Sequence, residues 1–293
     1  MDNRRLVRNI EKNVGIKKLK NQIKSINMLT IFLVLVSGYS IYLNHTGWLL
    51  SYGIIVAAVA MIVLALFISY RIKLQGKISE LKLDYRSLIV KPCAREYIEE
   101  GDFLAQGMLS ESEIISTCMF SDKTDYSYES CNELTGIYKG KKFKNYDLME
   151  FNHSEELRVY GRIFDVEMET PNVNPVVLTT ATAPVIEFYQ QKRVHLMKPE
   201  NDVIDRMFRV YAFDEKEAND LFTENMVYKL KQLVGLQLGR IIKIAFHHNH
   251  IVLFFTTDGY SYEETLTRKH DVAEEVAKIR NTFSAAARLI DII

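Results

Sequence analysis

Residues 25–70 run for 46 positions without a single Asp, Glu, Lys or Arg. A water-soluble domain has no use for so long an uncharged stretch. It is also about twice the roughly 20 residues that one helix needs to cross a bilayer core. The polar, flexible tetrad Asn44-His45-Thr46-Gly47 divides it, so the pattern predicts two spanning helices, 26–43 and 48–70, joined by a tight turn. Tyr42, Trp48 and Tyr52 gather at that turn and Tyr70 marks the opposite end, the depth that amphipathic rings favour.

Charge gives the hairpin a direction. Eight basic side chains precede the first span (Arg4, Arg5, Arg8, Lys12, Lys17, Lys18, Lys20 and Lys24). Six follow the second (Arg71, Lys73, Lys77, Lys82, Arg86 and Lys91), and the turn has none. The excess of Lys and Arg on both flanks predicts a multi-pass plasma-membrane protein with both termini and the main domain in the cytoplasm. A cleaved signal peptide is disfavoured, because no small-x-small site separates the two runs. Asn44-His45-Thr46 spells a glycosylation acceptor, but it sits too close to the bilayer to be used as one. His45, at the turn, is the only ionisable side chain in the uncharged stretch apart from tyrosines, which argues against a proton relay or a channel.

The flanks suggest partners. Leu6, Ile10, Val14, Leu19, Ile23 and Ile26 recur at helical spacing among lysines and arginines, as in a basic arm (1–25) lying on anionic lipid. Small residues, Ser37 and Gly38 on the first span and Gly53, Ala57 and Ala60 on the second, would let the helices approach closely. They would either close the hairpin or, through Gly53-x-x-x-Ala57, form a homo-oligomer.

The chain as a whole has 37 basic and 37 acidic residues, and the basic excess is concentrated before the first span. The body that remains is mildly acidic, which excludes a basic nucleic-acid binder. Cys93, Cys118 and Cys131 match neither a disulfide framework nor a zinc site and read as reduced, buried thiols. An apolar stripe from Ile72 to Ile89 predicts a helical stalk (71–116 with its connector) disturbed at Pro92, then a short helix 94–100 ending at Gly101. Ser110-x-x-Glu113 resembles a capping box.

From about residue 117 the pattern is α+β, with antiparallel hairpins between helices. Residues 134–151 alternate around Gly140-Lys141 as a β-hairpin, and 157–169 form another strand. Gly136-x-x-x-Gly140-Lys141 has the wrong spacing for a phosphate loop. The uncharged segment 170–186, with Pro171, Pro175 and Pro184, reads as a long loop joining two β-rich halves. Residues 208–213 form a strand, Asp214 and Thr223 cap two helices, and 240–246 with 251–256 form a hairpin turning at His247-His248-Asn249-His250. The three histidines there lack companion ligands, so no metal or cofactor is expected. Val272, Val276, Ile279, Phe283, Ala286, Ile290 and Ile293 form a final helical stripe, suited to a core or a coiled-coil seam.

The blocks Phe208-Arg-Val-Tyr-Ala-Phe-Asp214, Glu217-Ala218, Leu221-Phe-Thr223, Met226, Leu230, Ile251 and Tyr262-Glu263 resemble a bacterial membrane-protein family designated domain-of-unknown-function family three-one-three-seven. Residues 128–136 and 143–147 resemble its middle portion. The resemblance implies paired N-terminal membrane helices and a cytoplasmic domain, and it brings no catalytic residues. The expected role is a membrane-anchored binding or scaffold protein with a protein partner. The alternative is a tethered enzyme with a site assembled from distant residues such as His195, Asp214, Glu217, the 247–250 histidines, Glu263 and Glu264.

Overall fold

The computed structural model describes residues 15–45, 53–123, 125–168, 174–181, 194–236, 238–247, 249–258 and 272–293. The chain divides into two compact units, 1–89 with 264–271 and 90–263 with 272–293.

The first unit contains α1 (Ile16–His45) and most of α2 (Gly53–Ala94). Both are long and apolar enough to cross a membrane, and only 11% and 6% of their most apolar windows are buried. A core helix of a soluble protein would be mostly covered. Instead Ile31, Phe32, Leu35, Met61, Ile62 and Leu66 are all exposed, the arrangement that suits lipid as solvent. Helix α1 starts ten residues before the expected span. Its Leu19, Ile23 and Ile26 pack against Leu74, Ile78 and Leu81 of α2. Four-then-three spacing on both helices makes this a short antiparallel seam. The described half of the stripe expected to lie on lipid is therefore covered by α2, and its lysines remain outside. Leu6, Ile10 and Val14, the turn 46–52 and the side chains of Gly53 and Ala57 lie outside the described residues. Among the described residues, nothing lies within 4 Å of where a Cβ on Gly38 would stand.

In the second unit an antiparallel sheet forms around a series of local signals. Its strands are β1 (Glu99–Leu104), β2 (Tyr126–Tyr138), β3 (Lys141–Asn152), β4 (Leu157–Glu167), β5 (Val176–Thr180), β6 (His195–Met197), β7 (Phe208–Ala212), β8 (Ile242–His247) and β9 (His250–Thr256). The order is β1-β2-β3-β4-β9-β8-β5-β7-β6 in one nine-stranded sheet. The β2–β3 hairpin turns where expected: Tyr138 pairs with Lys141, and Lys139 and Gly140 take φ of 50° and 78°. Positive φ at both turn residues matches the twist of the flanking strands. Gly136 serves packing, since a Cβ there would stand 2.1 Å from Ile98 Cγ2.

Three expectations are corrected. Residues 99–104 are strand β1, not the end of a helix; α2 itself runs to Ala94, two residues past Pro92. Residues 176–180 are not part of a loop: Val-Val-Leu-Thr-Thr is a strand flanked by β7 and β8. The prolines that mask it all fall outside it, and its continuous apolar, β-branched run is that of a strand buried on both faces. The two β-rich halves are consequently one sheet, sewn together by β4 pairing with β9 from Gly161↔Thr256 to Glu167↔His250. In the β8–β9 hairpin the turn is also shorter than expected, because His247 and His250 face each other as a strand pair.

Helices α3 (Glu111–Ser116), α4 (Asp202–Met207), α5 (Glu215–Leu221), α6 (Glu224–Gly235) and α7 (Val272–Ile292) complete the unit. Ser110 and Glu113 form the full capping box. Asp214 and Thr223 accept from Glu217 N and Met226 N. α4 was not anticipated and is capped by Asn201. One face of the sheet is covered by Ile114, Met119 and Phe120, which pack on Leu148, Ile163, Val177, Tyr211 and Phe254. The other carries Phe143, Phe164, Leu253, Ile244 and Leu178, with α7 on the same side. The stripe Val272, Val276, Ile279, Phe283, Ala286 and Ile290 is buried within this unit, so it is core. Residues 76–293 should accordingly fold as a soluble fragment. Circular dichroism and limited proteolysis check this, and a fragment without sheet signal would refute it.

Candidate ligand-binding cleft

Beneath α7 the inward positions of β3 and β4 turn polar. Strand periodicity puts Phe143, Asn145, Asp147 and Met149 on the α7 side of β3, and pairs Asn145 with Phe164 and Asp147 with Arg162 of β4. A bulge in β2 between Cys131 and Leu134, with Asn132 at φ 59°, aims the Asn132 side chain at this row. Asn132 Nδ2 donates to Asp147 Oδ2 at 2.7 Å. Arg162 Nε lies 3.6 Å from Asp147 Oδ1, an ion pair beyond hydrogen-bond reach. Asn132, Asn145 and Asp147 are all buried.

Two buried polar atoms here have no hydrogen-bond partner, Asn145 Oδ1 and Arg162 Nε. Both residues line a cavity of about 280 Å³ closed by Phe164, Phe255, Leu238 and, from α7, Ala285, Ala286 and Leu289. The alanines create the space, because larger residues on that face of α7 would fill it. Leu238 and Thr257 are shared with a wider hollow of about 800 Å³ reaching Arg158 and Arg240. Leu238, Asn281 and Ala285 are shared with another of about 240 Å³ reaching Arg288. The three hollows thus adjoin around the 236–241 connector, with arginines at their margins. An apolar cavity with a few convergent polar groups is the usual form of a small-molecule site.

Among the described residues, the side chains singled out from sequence have partners of their own. His195 Nε2 lies 3.3 Å from Glu215 Oε1. Asp214 is a helix cap, and the Glu217 carboxylate accepts from Asn174 N and Nδ2 at 3.0 and 2.9 Å. His250 Nδ1 lies 2.7 Å from Asp165 Oδ1 on the opposite face of the sheet from the cleft. His248, Glu263 and Glu264 lie outside the described residues. Among the described residues no group of three His, Cys, Asp or Glu could hold a metal. Cys93 and Cys118 are buried and Cys131 is half-buried. Burial, with Glu96 beside it, pushes the Cys93 thiol up to about 12, an inert state.

Sequence reading missed Asn145, Asp147 and Arg162. The available signal was polar residues at the inward positions of an alternating strand, Phe143-x-Asn145-x-Asp147-x-Met149. It missed Lys243 as well. Its Nζ donates to Met119 O at 2.8 Å and sits 4.4 Å from the Phe120 ring centroid and 5.5 Å from that of Phe254. Burial lowers this amine to about 8.

The fold and cleft together define an α+β domain with a ligand-sized cavity, carried on a chain with two apolar N-terminal helices. Residues 165–293 match the model of a family described as "Protein of unknown function (DUF3137)". Residues 128–147, on which the resemblance also drew, precede the matched span. No curated protein matches the chain. Among solved structures, the mycobacterial trehalose monomycolate transport factor A, TtfA, is similar at 9% identity and a TM-score of 0.39, over 71% of this chain and 96% of that one.

Proposed function

We propose that this protein is a membrane-anchored binding protein. Its two-span hairpin holds the sheet domain on the cytoplasmic side, where the cleft beneath α7 receives a small ligand and the surface around it meets a protein partner. The observation that carries this reading is exposure: large apolar side chains cover the outside of both N-terminal helices, while a separate unit holds a cavity bordered by Asn145 and Arg162. Tethering concentrates such a domain near membrane partners and makes modest affinities useful. Contact with anionic headgroups is part of the proposal. A groove of about 750 Å³ between α1 and α2 is lined by Lys17, Lys18 and Lys77, just beyond the apolar segments.

An enzymatic reading has one observation behind it, the Lys243 amine held near neutrality. A carbonyl and two aromatic rings already occupy the space around that amine, which favours binding over catalysis. The topology has a direct test. A cysteine replacing Thr46, in a background with Cys131→Ser, should react with an impermeant maleimide from outside intact cells or spheroplasts, whereas a cysteine appended on a short flexible extension after Ile293, itself buried, should react only after lysis. The opposite pattern would reverse the orientation, and equal labelling at both would remove the membrane anchor.

A further inference from the structure

This inference rests on the membrane-anchored reading just proposed and names the lipid that the groove between α1 and α2 takes. The groove, of about 750 Å³, is lined by Lys17, Lys18, Asn21, Gln22 and Ser25 of α1 and by Lys77 of α2. All but the half-buried Gln22 are exposed. No carboxylate lines the groove, and none of its three lysines forms an ion pair among the described residues. Lys18, Asn21, Gln22 and Ser25 are spaced by three and four, so they share the flank of α1 beside its seam with α2. The same spacing carries that flank on into Met28, Leu29 and Phe32, all exposed. Ser25 adjoins the apolar run, and Lys17 stands about 12 Å further out along the helix, so the groove spans the depth of a headgroup layer.

We infer that this groove binds a phospholipid whose phosphodiester carries a neutral polyol, as in phosphatidylglycerol. Ammonium groups on both walls, without carboxylates to neutralise them, attract the phosphate. Asn21, Gln22 and Ser25 each offer a donor and an acceptor, and their side chains make no hydrogen bond among the described residues. That set suits hydroxyls, which both give and take a hydrogen bond. A serine headgroup has the same net charge but brings an ammonium among the lysines, and choline brings a cation that donates nothing. A soluble phosphate would meet the lysines and leave the apolar continuation along Met28, Leu29 and Phe32 unused, whereas the acyl chains of a lipid lie on it.

The test is native mass spectrometry of the full chain released from detergent, with phosphatidylglycerol, phosphatidylserine and phosphatidylcholine of identical acyl chains offered together in equal amounts. Phosphatidylglycerol should be retained at least about fivefold more than phosphatidylserine, the discrimination that one or two hydrogen bonds supply. Phosphatidylcholine should be retained least. Asn21→Ala with Ser25→Ala should bring the glycerol-to-serine ratio to about one while both anionic lipids still exceed phosphatidylcholine. Lys17→Gln, Lys18→Gln and Lys77→Gln together should bring both down to the phosphatidylcholine level. Lys82→Gln, on α2 outside the groove, should change neither. The substituted side chains are all exposed, so the helices stay folded. Millimolar glycerol 3-phosphate should not displace the lipid. Equal retention of phosphatidylserine, an unchanged ratio in the Asn21 and Ser25 variant, full retention by the lysine variant, or displacement by glycerol 3-phosphate would each overturn the assignment. Such a failure leaves the membrane anchor to the Thr46 labelling, which does not depend on the headgroup.

Discussion

Phe283→Ala is expected to destabilise the soluble fragment by about 3–5 kcal/mol, because truncating a buried aromatic loses its burial and leaves a cavity that the surroundings only partly fill. Phe283 is 1% exposed, in the middle of the α7 stripe, and stacks at 6.2 Å on Tyr97, which follows α2. Two ion pairs flank this contact: Arg280 of α7 with Glu96, and Lys91 with Asp102 at 2.9 Å. The substitution therefore loosens the point where the C-terminal helix meets the entry to the domain. Denaturant melts measure the effect, and sedimentation of both forms distinguishes core from interface. A mutant that stays folded as a monomer while the wild type is an oligomer would show that the stripe has a second use.

The second large effect is a dependence on alkaline pH. Lys243 has a folded pKa near 8 against an ordinary 10.5, so below pH 8 the folded state carries a buried charge that the unfolded chain would keep in water. Between these values the unfolded state binds more protons than the folded one, and stability rises with pH. The full contribution is about 3 kcal/mol, at roughly 1.4 kcal/mol per unit. Other groups act in the opposite direction. Cys93 is raised from 9.0 to about 12, so the unfolded chain ionises first and stability falls from pH 9 upward. Tyr128 and Tyr146, raised by burial and, for Tyr146, by its hydrogen bond to Glu133 as well, add to that fall above pH 10. Melts of the fragment should therefore gain stability from pH 8 to 9 and lose it beyond 10. Lys243→Met should remove the rise and keep the later fall. A wild-type curve that is flat or falling between pH 8 and 9 would contradict the buried charge.

Features whose causes are local are legible in the amino-acid order. The uncharged 25–70 stretch announces two apolar helices because a spanning helix must be apolar along its whole length. Ser110 and Glu113, Asp214 and Thr223 mark helix starts because a cap acts on amides two or three residues away. The β2–β3 turn is legible at Gly140, where φ is positive, and the α7 stripe is legible because residues three and four apart share a face. Sheet order and the cleft came only with the tertiary structure. Val176–Thr180 becomes an interior strand through partners at 208–212 and 243–246, and no signal within the segment outweighs its flanking prolines. The polar row is split between Asn132, Asn145, Asp147 and Arg162, up to 30 residues apart, and Ala285 and Ala286 that make room for it are more than a hundred further on. A buried acceptor without a donor is a relation between distant side chains. Periodicity shows which face Asn145 takes, and only packing against α7 decides what it meets there.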